Sequence, residues 1–298
     1  MLKGILPAIP TCFTDRGNIN LEAQKKVIQF VISAGAHGIV FPGVASEYNF
    51  LTSKERIKLI KLLVSEVNGI IPIVAGISAP SIKEVTILAE EAKENGIKHF
   101  MLMAPKRFEN NLDKHISFFN DVATQFQDCE IILQNAPMPI GAGLDAQQLI
   151  QIIENNTNIT YLKEEKIPSG PTISEVLNKN IPHLLGVFGG GGSRYIIDEL
   201  NRGSIGAVPA AEITDLHVAI FNAYKNGEFS QARNLYRLTL PLLTSQTIYR
   251  MELTKYILKK RGVVDALYVR APLPKLDKYA KEDLDQILKD LQEENILI

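Results

Sequence analysis

The sequence predicts a single (β/α)8 barrel followed by a C-terminal helical extension, and three observations support this fold class. The chain has 298 residues, 46% of them hydrophobic, which is enough for one large core of the size that α/β barrels form. Short apolar runs rich in β-branched residues alternate with longer segments of helical periodicity, as in consecutive βαβ units. The chain contains eight such runs, and the pattern repeats roughly every 25–30 residues, as a barrel of these units requires.

Each apolar run is predicted as one strand and ends close to residues that form turns. The strands are expected near Gly4–Pro10, Gly38–Pro42, Pro72–Ile77, His99–Ala104, Glu130–Asn135, Ile159–Glu164, Leu184–Phe188 and Ile205–Pro209. Between them, apolar side chains recur every three or four residues, which predicts helices such as Leu21–Ala34, Ser53–Val67 and Ser81–Asn95.

The ends of these helices carry typical capping residues. Side chains suited to N-caps are Asn20, Ser53 and Ser81. Glycines follow helices and precede strands at positions 35, 96 and 203, where the left-handed conformation that ends a helix suits glycine.

Beyond Pro209 no strand pattern recurs, and helical patterns continue toward the C-terminus. The predicted helices are Asp215–Asn226, Phe229–Thr244, Ser245–Arg261 and Lys281–Glu293. No linker rich in Gly, Pro or Ser marks a second domain. We therefore expect residues 1–225 to form the barrel and residues 226–298 to form an extension packed on it, within one structural domain.

Composition argues against several classes of partner. The 32 lysines and arginines nearly balance the 33 aspartates and glutamates, so the chain lacks the positive charge that binds nucleic acid. The two cysteines, Cys12 and Cys129, lie far apart and fit no CxxC spacing, which favours a reducing compartment without disulfides. The N-terminus has no secretory pattern and no apolar run approaches the roughly 18 residues that span a bilayer. We expect a soluble cytoplasmic protein.

The sequence also lacks the signatures of a metal site. The five histidines are scattered without HxH or HExxH spacing, and no cluster of acidic residues resembles a set of metal ligands. A metal-dependent mechanism is therefore disfavoured, and no cofactor is predicted.

Active sites of (β/α)8 barrels form at the C-terminal ends of the strands, so unusual residues there are candidates for function. Lys163 lies in the otherwise apolar sixth strand, where burial of a charged amine is costly unless it is paired or neutral. An unprotonated amine is also the form that attacks a carbonyl to make an imine. Strand alternation places Tyr161, Lys163 and Glu165 on one face, so Glu165 is expected to share the pocket with Lys163. The alternative interpretation is a lysine at a frayed strand end, paired with a neighbouring glutamate.

Three turns after strands offer further candidates. The segment Gly43–Glu47 follows the second strand, and its small residues suit either a carboxylate-binding nest of backbone amides or an ordinary turn. Gln134 and Asn135 end the fifth strand, where their amides either orient a substrate or cap the turn. The run Gly189–Ser193 suits a phosphate or close backbone packing, and we favour packing around an unphosphorylated substrate because no P-loop ending or GxGxxG spacing is present.

These strand-end residues form a pattern, and the chain resembles the dihydrodipicolinate synthase and N-acetylneuraminate lyase family of class I aldolase-type barrels over nearly its whole length. The matching segments are Lys163, Gly43–Glu47 with Leu51-Thr52 and Glu55-Arg56, the turn with Asn135 and Pro137, and Val269–Leu273. The resemblance implies a Schiff base between Lys163 and pyruvate or a related 2-keto acid, whose carboxylate the loop around Ala45 and Ser46 binds. It also implies a homo-oligomer, commonly a tetramer.

The positions of these residues at strand ends and the family resemblance together predict the residues of the site. The expected catalytic residues are Lys163, Glu165 as the acid/base and Gln134, which orients a hydroxyl or a water. The expected substrate-binding residues are Gly43, Ala45, Ser46, Glu47, Asn135, Gly189, Gly190 and Val208.

Departures from the family pattern indicate which reaction the chain catalyses. Gln134 stands where the synthase and the sialic acid lyase have a proton-relaying tyrosine. The synthase also has an arginine in the stretch that reads Met138–Ile140 here, and aromatic residues where Lys106 and Arg107 stand. Gln134, the Val-Ala-Ser-Glu loop and the glutamate two residues after the lysine are similar to the branch that includes 2-keto-3-deoxy sugar-acid dehydratases.

The resemblance thus implies dehydration of a 2-keto-3-deoxy sugar acid. One alternative is an aldolase or lyase that releases pyruvate, as the synthase-like and N-acetylneuraminate lyase-like enzymes of the family do. Another, suggested by the missing tyrosine, is a non-catalytic sensor of 2-keto acids.

Overall fold

A computed structural model describes residues 1–293 of the chain. Its strands are β1 (Gly4–Ile5), β2 (Ile39–Phe41), β3 (Ile73–Gly76), β4 (His99–Met103), β5 (Glu130–Asn135), β6 (Ile159–Glu164), β7 (Gly186–Gly189) and β8 (Gly206–Ala207). Its α-helices are α1 (Leu21–Ser33), α2 (Ser53–Val67), α3 (Ile82–Glu94), α4 (Leu112–Gln125), α5 (Ala146–Glu154), α6 (Ser169–Asn178), α7 (Ile196–Asn201), α8 (Thr214–Lys225), α9 (Phe229–Tyr249), α10 (Met251–Lys260) and α11 (Lys278–Glu293). A helix follows each strand from β1 to β8, so the predicted alternation of eight strands with helices is confirmed.

Residues 73–208 form one compact unit that contains β3 to β8. Each strand pairs in parallel with the next one in the chain. The register places Gln134 beside Lys163 and Asn135 beside Glu164 on β5 and β6. Parallel strands bring their C-terminal ends to one edge of the sheet, so these four polar residues lie together at that edge.

The strands of this unit are buried along almost their whole length. Side chains such as Ile132, Leu133, Leu162 and Val187 have no solvent-exposed surface. Strands of a parallel sheet that is covered on both faces have nearly continuous apolar sequences, as these strands have. Polar residues therefore stand out where β5 and β6 end.

Residues 2–72, together with residues 209–293, form the second compact unit. Here Ala8 makes parallel bridges to both Val40 and Ala210. The helices α8 to α11 share one core, to which each contributes buried leucine or isoleucine side chains. Its buried members are Ile213, Leu216, Leu242, Leu243, Leu253, Tyr256, Ile257, Leu276, Leu284, Leu288 and Leu291.

The first and last strands are shorter than predicted. Of the expected Gly4–Pro10 strand, only Gly4–Ile5 and an isolated bridge at Ala8 are paired. Pro7 and Pro10 have no N–H to donate to a neighbouring strand, which limits the ladder. The same reason applies at Pro209, and β8 contains only Gly206 and Ala207.

The predicted caps are confirmed except one. Asn20 and Ser81 accept hydrogen bonds from the N–H groups of Ala23 and Glu84, and the glycines that follow helices, Gly35, Gly96 and Gly203, all have positive φ. The prediction of Ser53 as an N-cap is wrong. Thr52 is the N-cap of α2, because its hydroxyl accepts from the Glu55 N–H while the Glu55 carboxylate accepts from the Thr52 N–H.

The predicted break between Thr244 and Ser245 is also wrong. Helix α9 continues to Tyr249, and the chain leaves it at Arg250, whose φ is 47°. The Thr244 hydroxyl donates to the Leu240 carbonyl one turn earlier at 2.8 Å, so this side chain is satisfied within the helix and ends no hydrogen-bond ladder there. Within residues 1–293 no helix is both long and apolar enough to cross a membrane.

Candidate active site

Lys163 lies at the C-terminal end of β6, and only 4% of the residue is exposed. Its Nζ is 3.0 Å from Oε1 of Glu165. The same carboxylate oxygen accepts a hydrogen bond from Nε2 of Gln134 at 2.6 Å. The three residues predicted to be catalytic are therefore in direct contact, and the lysine is both buried and paired.

Glu165 is held in its ionised form by its neighbours. Burial raises the pKa of its carboxyl, but the Lys163 charge and the hydrogen bonds from Gln134, Lys163 and the Gly191 N–H outweigh burial and bring the pKa below its ordinary value. Its side chain keeps 17% of its surface exposed. A carboxylate in this position is able to accept a proton from the lysine or from a molecule bound to it.

Asn135 and Glu164 form a second pair on the opposite side of the strands. Asn135 Nδ2 donates to both Glu164 carboxylate oxygens, at 3.1 and 2.9 Å, and to the Leu144 carbonyl. Its Oδ1 accepts from the Leu144 N–H at 2.8 Å. Because its amide is fully used, these contacts favour the turn-capping interpretation of Asn135 over direct substrate contact. Burial raises the pKa of Glu164 to about 8, against hydrogen bonds from Asn135 and the Lys166 N–H.

The glycine run after β7 packs closely against two acidic side chains. A methyl group added to Gly189 would overlap the carboxyl group of Glu199, and one added to Gly190 would overlap Cγ of Glu165. The Gly191 N–H hydrogen-bonds to Glu165. The loop therefore packs closely against the Glu165 side chain, the residue predicted to act as the acid/base. Val208, another predicted substrate contact, is 3% exposed and donates its N–H to the Gly189 carbonyl.

Glu199 was not predicted from the sequence. It lies on α7, is 1% exposed, and accepts a hydrogen bond from the Ser169 hydroxyl at 2.7 Å. Its other oxygen has no hydrogen-bond partner among residues 1–293. Burial raises its pKa to about 7, and the charges of Asp198 and Glu165 act in the same direction. The available signal was the pair of acidic residues, Asp198 and Glu199, within the short apolar helix α7.

The loop Gly43–Glu47 lies in the second compact unit and forms a 3-10 turn from Val44 to Ser46. The Ser46 hydroxyl donates to the Ile9 carbonyl and accepts from the Gly43 N–H, so it stabilises the loop itself. The N–H groups of Val44 and Ala45 open the turn and have no hydrogen-bond partner in the described part of the chain. These two amides are the donors that the loop offers to an anion.

The carboxylate of Glu47 is buried and bound by residues from the C-terminal part of the chain. The Glu47 side chain has 0% exposure, and its Oε1 lies 2.7 Å from Nζ of Lys255. Its Oε2 accepts from the N–H groups of Arg270 and Ala271 at 2.7 and 2.8 Å. These contacts give Glu47 a role in holding the loop and the segment around Arg270 together, which the sequence did not predict.

The sequence of the whole chain was compared with known families and proteins. The model of the dihydrodipicolinate synthetase family matches residues 1–291. The chain belongs to this family.

Relatives in the dihydrodipicolinate synthetase family differ in the reactions their names describe. A 4-hydroxy-tetrahydrodipicolinate synthase from Methanopyrus kandleri is 27% identical, over 81% of this chain and 80% of the relative. An L-2-keto-3-deoxyarabonate dehydratase from Azospirillum brasilense is 25% identical, over 97% and 94%. A probable 2-dehydro-3-deoxy-D-pentonate aldolase from Escherichia coli is 25% identical, over 96% of both chains. The chain is therefore a lyase of the family, and identities this low leave the specific reaction to be argued from the site.

Solved structures of the family have the same fold. The 4-hydroxy-tetrahydrodipicolinate synthase of Methylacidiphilum fumariolicum superposes with a TM-score of 0.90 at 25% identity, covering 100% of both chains. A prophage protein of the family from Escherichia coli, solved in complex with pyruvate, has a TM-score of 0.88 at 21% identity, covering 99% of both. The predicted (β/α)8 barrel with a C-terminal helical extension is confirmed.

Proposed function

We propose that this chain is a Schiff-base lyase that dehydrates a 2-keto-3-deoxy sugar acid. The observation that carries the proposal is the contact of the buried Lys163 amine with Glu165, which Gln134 in turn holds. Gln134 occupies the position of the family's proton-relaying tyrosine, and its amide carries no titratable proton. Glu165 is accordingly the proton-transfer group in this proposal.

The reaction begins at the keto carbon. Lys163 first passes its proton to Glu165, and the neutral amine then adds to the carbonyl to give a carbinolamine. Glu165 returns the proton to the carbinolamine hydroxyl, which leaves as water, and a protonated imine remains. The positive nitrogen withdraws electrons and acidifies the adjacent carbon, so Glu165 is able to remove a proton from it. The resulting enamine expels the hydroxyl at the next carbon, which leaves as water after taking up the proton. Hydrolysis of the imine then releases a keto acid that retains every carbon and regenerates Lys163.

The substrate carboxylate is assigned to the loop Gly43–Glu47, as the family resemblance implies. The N–H groups of Val44 and Ala45 are the unused donors of that loop. A hydrogen bond from such a donor to a charged group contributes about 1.5–3 kcal/mol. The Ser46 hydroxyl stabilises the loop through its hydrogen bonds to Ile9 and Gly43. In this proposal the backbone N–H groups therefore bind the substrate carboxylate.

The substrate is proposed to carry no phosphate. The glycine loop after β7 already uses the Gly191 N–H on the Glu165 carboxylate, and Glu199 packs beneath Gly189. Acidic side chains at the point where many barrels bind phosphate would repel that group. Phosphorylated keto acids are therefore expected to be poor substrates.

Borohydride reduction tests the Schiff base. With pyruvate present, borohydride should reduce the imine and add the mass of the reduced three-carbon acid irreversibly at Lys163, as read by peptide mass spectrometry. Absence of an adduct at Lys163 with saturating pyruvate would rule out the mechanism.

The second candidate function is a retro-aldol cleavage, favoured by the aldolase among the relatives. In that reaction a base deprotonates the hydroxyl next to the bond that breaks, and the products are pyruvate and an aldehyde. Product analysis with a panel of 2-keto-3-deoxy sugar acids separates the two, since dehydration yields one product with all the carbons. Adduct formation and ligand-dependent stabilisation without turnover on any member of the panel would favour the sensor instead.

The remaining expectations stay predictions. We propose a cytoplasmic homo-oligomer, commonly a tetramer in this family, that needs no metal or cofactor. We also propose that residues 226–298, of which 294–298 lie outside the described part of the chain, form an extension packed on the barrel of residues 1–225 as one domain. Light scattering coupled to size-exclusion chromatography would measure the number of 33.1 kDa chains in the assembly.

A further inference from the structure

Lys255 is a buried cation far along the chain from every residue discussed as catalytic. It lies on α10 and is 2% exposed. Its Nζ donates to Oε1 of Glu47 and to the Tyr268 carbonyl, each at 2.7 Å, and lies 4.5 Å from the centre of the Phe13 ring. Burial of a lysine is costly, so such a site persists only where the contacts it makes are well satisfied.

Arg270 holds the other side of the same segment. Its guanidinium binds both carboxylate oxygens of Glu55, at 2.9 and 2.6 Å, and donates to the carbonyls of Gly17 and Phe50. Its backbone N–H donates to Glu47. Glu55 is also the capping-box residue at the start of α2, so Arg270 joins the beginning of that helix to Glu47.

The segment from Glu47 to Glu55 is thus tied at both ends. Glu47 has a left-handed backbone, with φ of 60°, which costs free energy for a residue with a side chain and persists only where the surroundings hold it. Lys255 and the N–H groups of Arg270 and Ala271 supply three donors to its carboxylate. Glu47 directly follows the 3-10 turn with the open amides, and its N–H donates to the Val44 carbonyl, so its placement holds the end of that turn.

We propose that Lys255 and Arg270 are positioning residues that hold the turn Val44–Ser46 in the conformation that binds the substrate carboxylate. They act through Glu47 and touch no reacting atom. The inference rests on the proposed function, because it assumes that the turn binds the carboxylate of a keto acid. Losing either residue should weaken keto-acid binding and leave imine chemistry at Lys163 largely intact once the ligand is saturating.

The test measures the rate of borohydride trapping at Lys163 as a function of pyruvate concentration. Lys255→Met should raise the half-saturating pyruvate concentration about 10-fold or more, since a small misplacement of a binding group has effects of this size. The maximal trapping rate should stay within about threefold of the wild type, because positioning residues of this kind act on binding. Lys260→Met is the matched control, since Lys260 is on the same helix and pairs with Asp285 at the surface; its trapping curve should be that of the wild type.

A second pair of variants keeps the test decisive if Lys255→Met does not fold. Arg270→Met should raise the half-saturating pyruvate concentration in the same way, and Arg270→Lys should recover only part of the loss, because an ammonium cannot bind both Glu55 oxygens in the same fork. A folded Lys255→Met or Arg270→Met protein with wild-type half-saturation would overturn the inference. Failure of the wild type itself to trap pyruvate would instead refute the proposed function.

Discussion

Glu165 carries a negative charge at neutral pH because three donors outweigh the effect of its burial. The donors are the Lys163 ammonium, the Gln134 amide and the Gly191 N–H. In the proposed mechanism, the proton-transfer role belongs to Glu165, directly after β6, and no longer to the tyrosine position on β5 that is Gln134 here. The neighbouring Glu164, on the opposite face, has a pKa of about 8 and is mostly protonated at pH 7.

Glu165→Gln should reduce turnover of the keto-acid substrate by about 10²–10⁴-fold, the typical contribution of general acid–base catalysis. The amide preserves size and hydrogen bonding but cannot take up a proton. Steady-state kinetics on the substrate found by the product screen would measure the loss. Glu164→Gln is the matched comparison, and turnover at pH 7 should fall far less because a glutamine resembles the protonated acid; equal losses in the two variants would contradict the role given to Glu165.

Glu199 should make the stability of the protein depend on pH. Its pKa is 4.5 ordinarily and about 7 in the folded chain, where burial is the main cause and Asp198, Glu165 and Arg194 are the charged groups that act on it. Between these values the folded state holds a proton that the unfolded state has lost, so stability falls as pH rises through this window.

Glu199→Gln removes this proton and with it the pH dependence. Between pH 5 and pH 8, the free energy of unfolding should fall by up to about 3 kcal/mol more in the wild type than in the variant. This figure converts the difference between the ordinary and the folded pKa of Glu199 at 1.36 kcal/mol per pKa unit. Urea unfolding at the two pH values would measure it. Glu94→Gln, at an exposed position of α3, is the control and should change the free energy of unfolding by the same amount at pH 5 and pH 8. A Glu199→Gln protein with the wild-type pH dependence would show that the Glu199 carboxyl does not retain its proton.

At the scale of elements, the loop after β7 acts as a support for the end of β6. Because Gly189 has no side chain, Glu199 packs directly against its backbone. Glu165 packs against the backbone of Gly190 in the same way. The geometry of Lys163, at the end of β6, and of Glu165, directly after it, therefore depends on small residues in the next strand and its loop. Neither glycine has a positive φ, so close approach, and not backbone conformation, is what requires glycine here.

Gly190→Ala should displace Glu165 from Lys163, because the added methyl group overlaps the Glu165 side chain. The expected result is a fall of at least about 10-fold in the maximal rate of pyruvate trapping, with the fold retained. Gly69→Ala is the control. No atom lies within 4 Å of the added methyl group, so the only effect of this change is backbone strain at a residue whose φ is 76°. A Gly190→Ala protein that traps pyruvate at the wild-type rate would show that Glu165 adapts without loss.

At the scale of the whole molecule, imine formation should stabilise the folded state. A ligand that binds only the folded chain at 100 times its Kd adds about 2.7 kcal/mol to the unfolding free energy. Pyruvate should therefore raise the melting temperature in a concentration-dependent way, as scanning calorimetry would show. Lactate has the same carboxylate but no carbonyl to form an imine, so it should stabilise much less; equal stabilisation by both would indicate that the carboxylate alone is recognised.

The sequence by itself determined the local and periodic features. Alternation of buried and polar residues placed Lys163 and Glu165 on one face of a strand, because successive side chains in a strand point to opposite sides. Apolar runs, caps and glycines at helix ends determined the eight strands and most helix boundaries, since these signals act over a few residues. The motifs around Lys163, Gly43–Glu47, Asn135 and Val269–Leu273 together indicated the family.

Only the tertiary structure decided which distant residues complete these features. Lys255 lies 208 positions from Glu47, and Arg270 lies 223 positions from it, so no local pattern predicts that they bind the same carboxylate. Glu199 was overlooked although it is near Gly189 in the sequence, because its contact with that glycine depends on how α7 packs against β7. Such contacts depend on the packing of whole elements, and the charge state and conformation of a buried residue depend in turn on the neighbours that this packing supplies.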